Sequence, residues 1–94
     1  MYLASYHFDG DPATLTAAYH RLVASYPTES IELQVAIRRT SGLTVYDACP
    51  DEQTFRAFIT SSEFHQTLSA AGLPDPRIEG LGEIEATVLP RVAR

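Results

Sequence analysis

Two side chains in this sequence could exchange a proton near neutral pH inside a small cleft: His7 and Asp47. His7 stands in the aromatic run Tyr2-Leu3-Ala4-Ser5-Tyr6-His7-Phe8, where an imidazole lining a cleft could serve as a general base. Asp47 stands among Val45, Tyr46, Ala48 and Cys49, and a carboxylate half-buried among apolar neighbours tends to hold its proton or to pair with a cation such as Arg38 or His7. The phenols of Tyr6 and Tyr46 could donate a hydrogen bond to a ligand oxygen, and Arg38 could contribute a charge, so these three are the candidate ligand-binding residues. Each has a structural alternative. His7 could be a polar residue at an interface or under helices, Asp47 half of a structural ion pair, and the tyrosines packing groups. Tyr6 and His7 are adjacent and point to opposite faces of a strand, so they cannot line the same pocket.

Other chemistries find no support in the residues. Cys49 has no basic neighbour to favour a thiolate, and a small buried thiol is the simpler reading. As the single cysteine it cannot form an internal disulfide, which fits a cytoplasmic location. Three dispersed His and one Cys make no metal-ligand spacing. His20 and His65 each follow a residue of an apolar stripe, Tyr19 and Phe64, and are expected to face outward. There is no nucleophile elbow and no phosphate-binding loop, and Gly80-Leu81-Gly82 lacks the third glycine of a dinucleotide fingerprint, so no cofactor is expected. A formal net charge of −5, with Arg38 and Arg39 as the only adjacent basic pair, excludes nucleic acid as an expected partner. An anionic membrane surface is excluded on the same ground, and no apolar run reaches the ~18 residues of a membrane span.

The elements that would position these groups are legible from periodicity. Residues 2–8 alternate as a strand. Asp11 and Pro12 then open a helix over about 12–25, with Leu15, Ala18, Tyr19, Leu22 and Val23 on one stripe, ended by Pro27. Ile31, Leu33, Val35 and Ile37 alternate with polar residues as a second strand. Thr40-Ser41-Gly42 is expected to be a three-residue hairpin loop with Gly42 in the left-handed position. Leu43–Cys49 returns as a third strand, and that loop sets Ile37 opposite Val45 and Val35 opposite Asp47. Asp51 caps a helix burying Phe55, Phe58 and Ile59. Thr60 to Glu63 has the spacing of a capping box and marks a restart carrying Phe64, Leu68 and Ala71. Gly72 ends that helix. The last strand is expected over 78–89, ended by Pro90, with a bulge or bend at Gly80-Leu81-Gly82.

The order β-α-β-β-α-β is the ferredoxin-like split βαβ arrangement, an α+β fold. Ninety-four residues make one domain, with a four-stranded antiparallel sheet in the order fourth, first, third, second and both helices on one face. Neither face of the strands is uniformly polar, so the open face needs a cover, and a second copy of the chain across a two-fold axis supplies it. A homodimer through the open sheet face is therefore expected.

The run Val45-Tyr46-Asp47-Ala48-Cys49-Pro50-Asp51-Glu52-Gln53-Thr54-Phe55-Arg56-Ala57-Phe58, followed by Ser61 and Phe64, resembles the dimeric α/β-barrel superfamily in its antibiotic-biosynthesis-monooxygenase-like branch. The resemblance implies a barrel formed between subunits, a small-molecule cavity between sheet and helices, and cofactor-free oxidation of an electron-rich aromatic as one possible activity. The chain departs from the pattern at three points. Cys49 stands where an aromatic, often Trp, ends the strand; Phe58 stands where His is frequent; and Asn is absent from the whole chain. The functions left open are a binding module for a small apolar or aromatic molecule, a cofactor-independent monooxygenase acting on an aromatic or polyketide-like compound, and a structural or interaction domain without a ligand.

Overall fold

A computed structural model describes residues 1–26 and 31–88. Its elements run β1 (Tyr2–Asp9), α1 (Pro12–Ala24), β2 (Gln34–Arg39), β3 (Gly42–Cys49), α2 (Glu52–Ile59), α3 (Ser62–Ala71) and β4 (Arg77–Glu83). The four strands form one antiparallel sheet in the order β2-β3-β1-β4, with β1 and β3 central. This is the ferredoxin-like arrangement, with the second helical segment split into α2 and α3.

Local chemistry accounts for the helix ends. The Asp11 carboxylate accepts from the Thr14 amide at 2.9 Å and Pro12 occupies the first turn, as a cap followed by proline should. Asp51 caps α2 in the same way, accepting from the Thr54 amide at 2.7 Å. The restart is capped one residue later than the capping-box spacing predicts. Ser61, not Thr60, accepts from the Phe64 amide, while the Thr60 hydroxyl donates back to the Arg56 and Ala57 carbonyls. Gly72 closes α3 with φ +92°, a left-handed conformation that glycine adopts without Cβ strain.

The β2–β3 hairpin differs from expectation, and the difference decides which residues share a face. Its loop is the two residues Thr40-Ser41, and Gly42 is already in β3, paired with both Arg39 and Asp9. Gly42 is not left-handed. It is required because a Cβ there would overlap the Phe8 carbonyl oxygen of the neighbouring strand. A one-residue change in register inverts every side chain. Gln34 therefore lies opposite Asp47 and Ala36 opposite Val45, while Val35 and Ile37 join Tyr46 and Thr44 on the other face. Strand β2 also begins at Gln34, later than the alternation from Ile31 predicts, although the Ala48 amide still reaches the Leu33 carbonyl at 3.0 Å.

Strand β4 is shorter than the expected 78–89. It ends at Glu83, residues 84–88 are not strand, and residue 89 lies outside the described residues, as do Pro27 and Pro90. The anticipated irregularity at Gly80-Leu81-Gly82 is present. Leu3 pairs with Gly82 and Ala4 with Gly80, leaving Leu81 as the extra residue of a bulge.

The core lies between the sheet and the helices. Tyr2, Ala4, Tyr6 and Phe8 of β1 and Leu43, Val45 and Cys49 of β3 meet Leu15 and Ala18 of α1, Phe55 of α2 and Phe64 and Leu68 of α3. The opposite face carries Leu3, Ser5 and His7 of β1, Thr44, Tyr46 and Ala48 of β3, Val35, Ile37 and Arg39 of β2, and Arg77 and Glu79 of β4. No helix of the described residues is long and apolar enough to cross a membrane.

Candidate functional site

Between the helix side of β1–β3–β2 and the flanks of α1, α2 and α3 lies an open cleft of about 430 Å³, within the range of small-molecule sites. Its walls are mostly apolar. Tyr6 and Phe8 rise from β1, Tyr19 and Leu22 from α1, Phe58 from α2, and Phe64 and Leu68 from α3. Tyr26, beyond the end of α1, and Ile31 and Glu32, ahead of β2, complete the rim.

One polar network crosses the cleft. Gln34 donates from its amide to Asp47 Oδ1 at 3.1 Å, and its amide oxygen accepts from the Tyr19 hydroxyl at 2.6 Å. The Cys49 thiol faces Asp47 Oδ2 at 3.8 Å. Burial pushes the Asp47 carboxyl above the usual carboxylate range, and the nearby Glu32 charge adds to it; the bonds from Gln34 and Cys49 pull the other way. Burial also raises the Cys49 thiol, to about 11, helped by the Asp47 charge. Cys49 is thus protonated at neutral pH and is no nucleophile.

Tyr6 is the exception to the satisfied network. Its side chain is buried to 5 % exposure, held by the rings of Phe55 and Phe64 at centroid distances of 6.5 and 5.9 Å. Its hydroxyl is buried and has no hydrogen-bond partner among the described residues. Burial first, then the Asp47 charge, holds that phenol strongly in its protonated form. A protonated, buried hydroxyl without a partner among the described residues leaves an unmet hydrogen-bonding cost at the wall of the cleft.

The sequence-derived candidates divide between two faces. Asp47 and Tyr6 lie together in the cleft. His7 and Tyr46 lie on the opposite sheet face. There His7 Nδ1 is 3.0 Å from the Thr44 hydroxyl and Nε2 is 3.1 Å from Ser5 Oγ, with Glu79 at 3.9 Å. Arg38 is opposite Leu43, four residues from Asp47 along β3, or roughly 13 Å at strand spacing. It is exposed and does not line the cleft, so the ion pair with Asp47 does not form. Arg39, on the other face, donates to the Thr44 hydroxyl instead.

Three further residues reach the cleft. The three-residue loop expected from the sequence sets Gln34 on the other face, and the two-residue loop brings it opposite Asp47. Tyr19, counted as core, is half-buried with its hydroxyl in the network. Phe58, assigned to the buried face of α2, is 38 % exposed at the rim, its ring 4.7 Å from Phe64. A signal for Gln34 was available, because a two-residue loop would have set it directly across from Asp47. Among the described residues no group of three or more His, Cys, Asp or Glu is gathered to hold a metal ion.

No protein-family model matches the chain, and no curated protein sequence is similar to it at a significant level. Solved structures do match. A Deinococcus radiodurans protein assigned provisionally as an antibiotic biosynthesis monooxygenase superposes with a TM-score of 0.61 at 10% identity, over 97% of this chain and 100% of the other. NE2512, a Nitrosomonas europaea protein of unknown function, gives 0.59 at 23% identity, over 97% and 96%. SnoaB, a cofactor-independent oxygenase from Streptomyces nogalater, gives 0.55 at 15% identity, over 96% and 95%. At these identities the shared property is the fold: the chain has the ferredoxin-like fold of the antibiotic-biosynthesis-monooxygenase-like structures.

Proposed function

We propose that this chain binds a small, largely apolar or aromatic molecule in the cleft between sheet and helices, with the Tyr6 hydroxyl and the Asp47 carboxylate as its polar contacts. The observation that carries this reading is the buried Tyr6 hydroxyl, without a hydrogen-bond partner among the described residues, at the wall of the 430 Å³ cleft. A fully packed structural domain would not leave this space. Titration with a neutral naphthyl alcohol, followed by amide chemical shifts, tests it. Shifts are expected at Tyr6, Val45 and Asp47, with the open face unmoved except through the sheet. Tyr6→Phe removes one hydrogen bond and is expected to weaken binding about 3- to 10-fold, matching a bond of roughly 0.5–1.5 kcal/mol. Shifts confined to the open face, or none, with this alcohol and with its amine and carboxylate analogues alike would remove the proposal.

The likeness to a cofactor-independent oxygenase supports a second reading, oxidation of an anthrone- or quinol-like substrate by dioxygen. Asp47 is then the base, since His7 faces away from the cleft. Weighing against it, no basic side chain among the described residues lines the cleft, so a developing phenolate or enolate would form beside Asp47 and Glu32 without a compensating charge. Dioxygen consumption with anthrone, abolished by Asp47→Asn and indifferent to His7→Ala, would establish it.

The assembly belongs to the same proposal. Val35, Ile37 and Leu81, at 48, 45 and 46 % exposure, stand on the open side of the sheet beside Leu3, Tyr46 and Ala48. A second copy stacked on this face would bury them and enclose His7 in the interface. Light scattering during size-exclusion chromatography is expected to give twice the 10.3 kDa chain mass, and Ile37→Arg to return the single-chain mass. A wild-type mass of one chain at micromolar concentration removes this part.

A further inference from the structure

Taking the small-molecule reading of the cleft as its premise, we infer that the molecule it accepts carries a protonated amine, so that the cleft selects organic cations over neutral and anionic compounds of the same shape. Two sets of groups converge on this. The first is aromatic. Six rings line the space, those of Tyr6, Phe8, Tyr19, Tyr26, Phe58 and Phe64. Ring faces carry negative potential and attract cations, and an aromatic-walled cleft is the usual solution for holding an alkylated ammonium group. The second is charge. The ionisable acids at the cleft are Asp47, halfway along its sheet wall, and Glu32 at its rim, and among the described residues no Arg or His lines it.

The hydrogen-bond inventory points the same way. The Asp47 carboxylate takes one amide bond from Gln34 and one weak thiol contact from Cys49, which leaves acceptor capacity unused on the carboxylate. The Tyr6 hydroxyl oxygen can also accept, and it has no partner among the described residues. An ammonium group supplies donors, which the spare lone pairs of the Asp47 carboxylate can accept. A carboxylate or phosphate would meet two acids and, among the described residues, no cation. A neutral alcohol would satisfy the oxygens but leave the acidic charge and the ring quadrupoles uncompensated. The cleft is half-open and apolar, so the water that would screen these charges is partly excluded.

An isosteric series separates this inference from its premise. Naphthylmethylamine, naphthylmethanol and naphthoate share one ring system and differ in the charge of one substituent. Their affinities at neutral pH are read by calorimetry and mapped by amide shifts on the intact chain. The amine is expected to bind about 10-fold tighter than the alcohol, and naphthoate weakest, since charge-assisted hydrogen bonds are roughly twice as strong as neutral ones. The amine's advantage over the alcohol is expected to vanish in Asp47→Asn and to shrink in Glu32→Gln, a rim change that leaves the core untouched. An alcohol or naphthoate that binds as tightly as the amine overturns the inference and leaves the small-molecule reading standing. An amine preference that survives Asp47→Asn overturns the assignment of the cation to this carboxylate. Failure of all three probes to bind overturns the small-molecule reading and the inference together.

Discussion

Phe55→Ala is expected to lower the melting temperature by about 12–40 °C, enough to leave much of the chain unfolded near physiological temperature. Phe55 is 1 % exposed, in the first turn and a half of α2, and packs on Tyr2 at a centroid distance of 5.4 Å and on Tyr6 at 6.5 Å. Truncating a buried phenylalanine costs about 3–5 kcal/mol, transfer and cavity together. A domain of this size holds only about 5–14 kcal/mol in total, and each kcal/mol moves its midpoint by roughly 4–8 °C. The site cannot collapse cheaply. Helix α2 is short, and its contact with β4 runs past Gly80, where the backbone leaves room for the Phe55 and Tyr2 rings rather than supplying atoms of its own. The change also reaches the cleft, because Phe55 and Phe64 together set the angle of the Tyr6 ring. Phe58→Ala is the control. Its ring is already 38 % exposed, so the same truncation removes much less buried area. Circular dichroism melts of the two variants test the contrast. A shift under about 5 °C for Phe55→Ala, or equal shifts for both, would mean that the core is not organised around this ring.

The sequence showed the strand–helix order, the strand order and three of the helix-end residues, Asp11, Asp51 and Gly72. Each of these rests on a local physical rule: period-two or period-3.6 burial, a side-chain acceptor for an orphan amide, a residue without Cβ where φ is positive. What it missed turns on one glycine. Gly42 carries no mark distinguishing a left-handed loop residue from a strand residue pressed against another backbone. The deciding contact, with the Phe8 carbonyl, comes from a residue 34 positions away. Reading it as a loop residue slid β2 by one and sent Gln34 to the wrong face. That slide hid the network around Asp47; the Arg38 partner rested on charge alone, and in the structure Arg38 stands opposite Leu43, four residues along β3 from Asp47. The division of candidates between faces was partly visible, since Tyr6 and His7 are neighbours and cannot point the same way. Which of them faced the helices was not visible, because both faces of β1 carry residues compatible with burial.

Asp47→Asn is expected to stabilise the free protein at neutral pH while impairing its ligand binding. Burial raises the Asp47 carboxyl above its usual range. Between the unfolded value near 3.9 and this raised value the native state holds more protons than the unfolded chain, so stability falls as pH rises through that window. The favourable contribution is fully present below the unfolded value and is lost above the folded one. Asparagine keeps the acceptor for Gln34 without a charge to bury. The variant's melting temperature is therefore expected to match the parent's at about pH 3.5 and to exceed it progressively toward pH 7. Asp9, Asp11 and Asp51, whose carboxyls are held below the usual range by Arg77, by the Thr14 hydroxyl and amide, and by the Thr54 amide respectively, oppose this trend in both proteins equally and cancel in the difference. A variant less stable than the parent, with the deficit growing as pH rises, would identify Asp47 as half of a stabilising pair and would remove it from the ligand's contacts. A carboxylate that costs the empty protein stability is what a binding site for a donor-bearing ligand requires. The same titration repeated in saturating naphthylmethylamine closes the test. The ligand should raise the parent's midpoint more than the variant's, because only the parent has a buried charge for the ammonium group to neutralise.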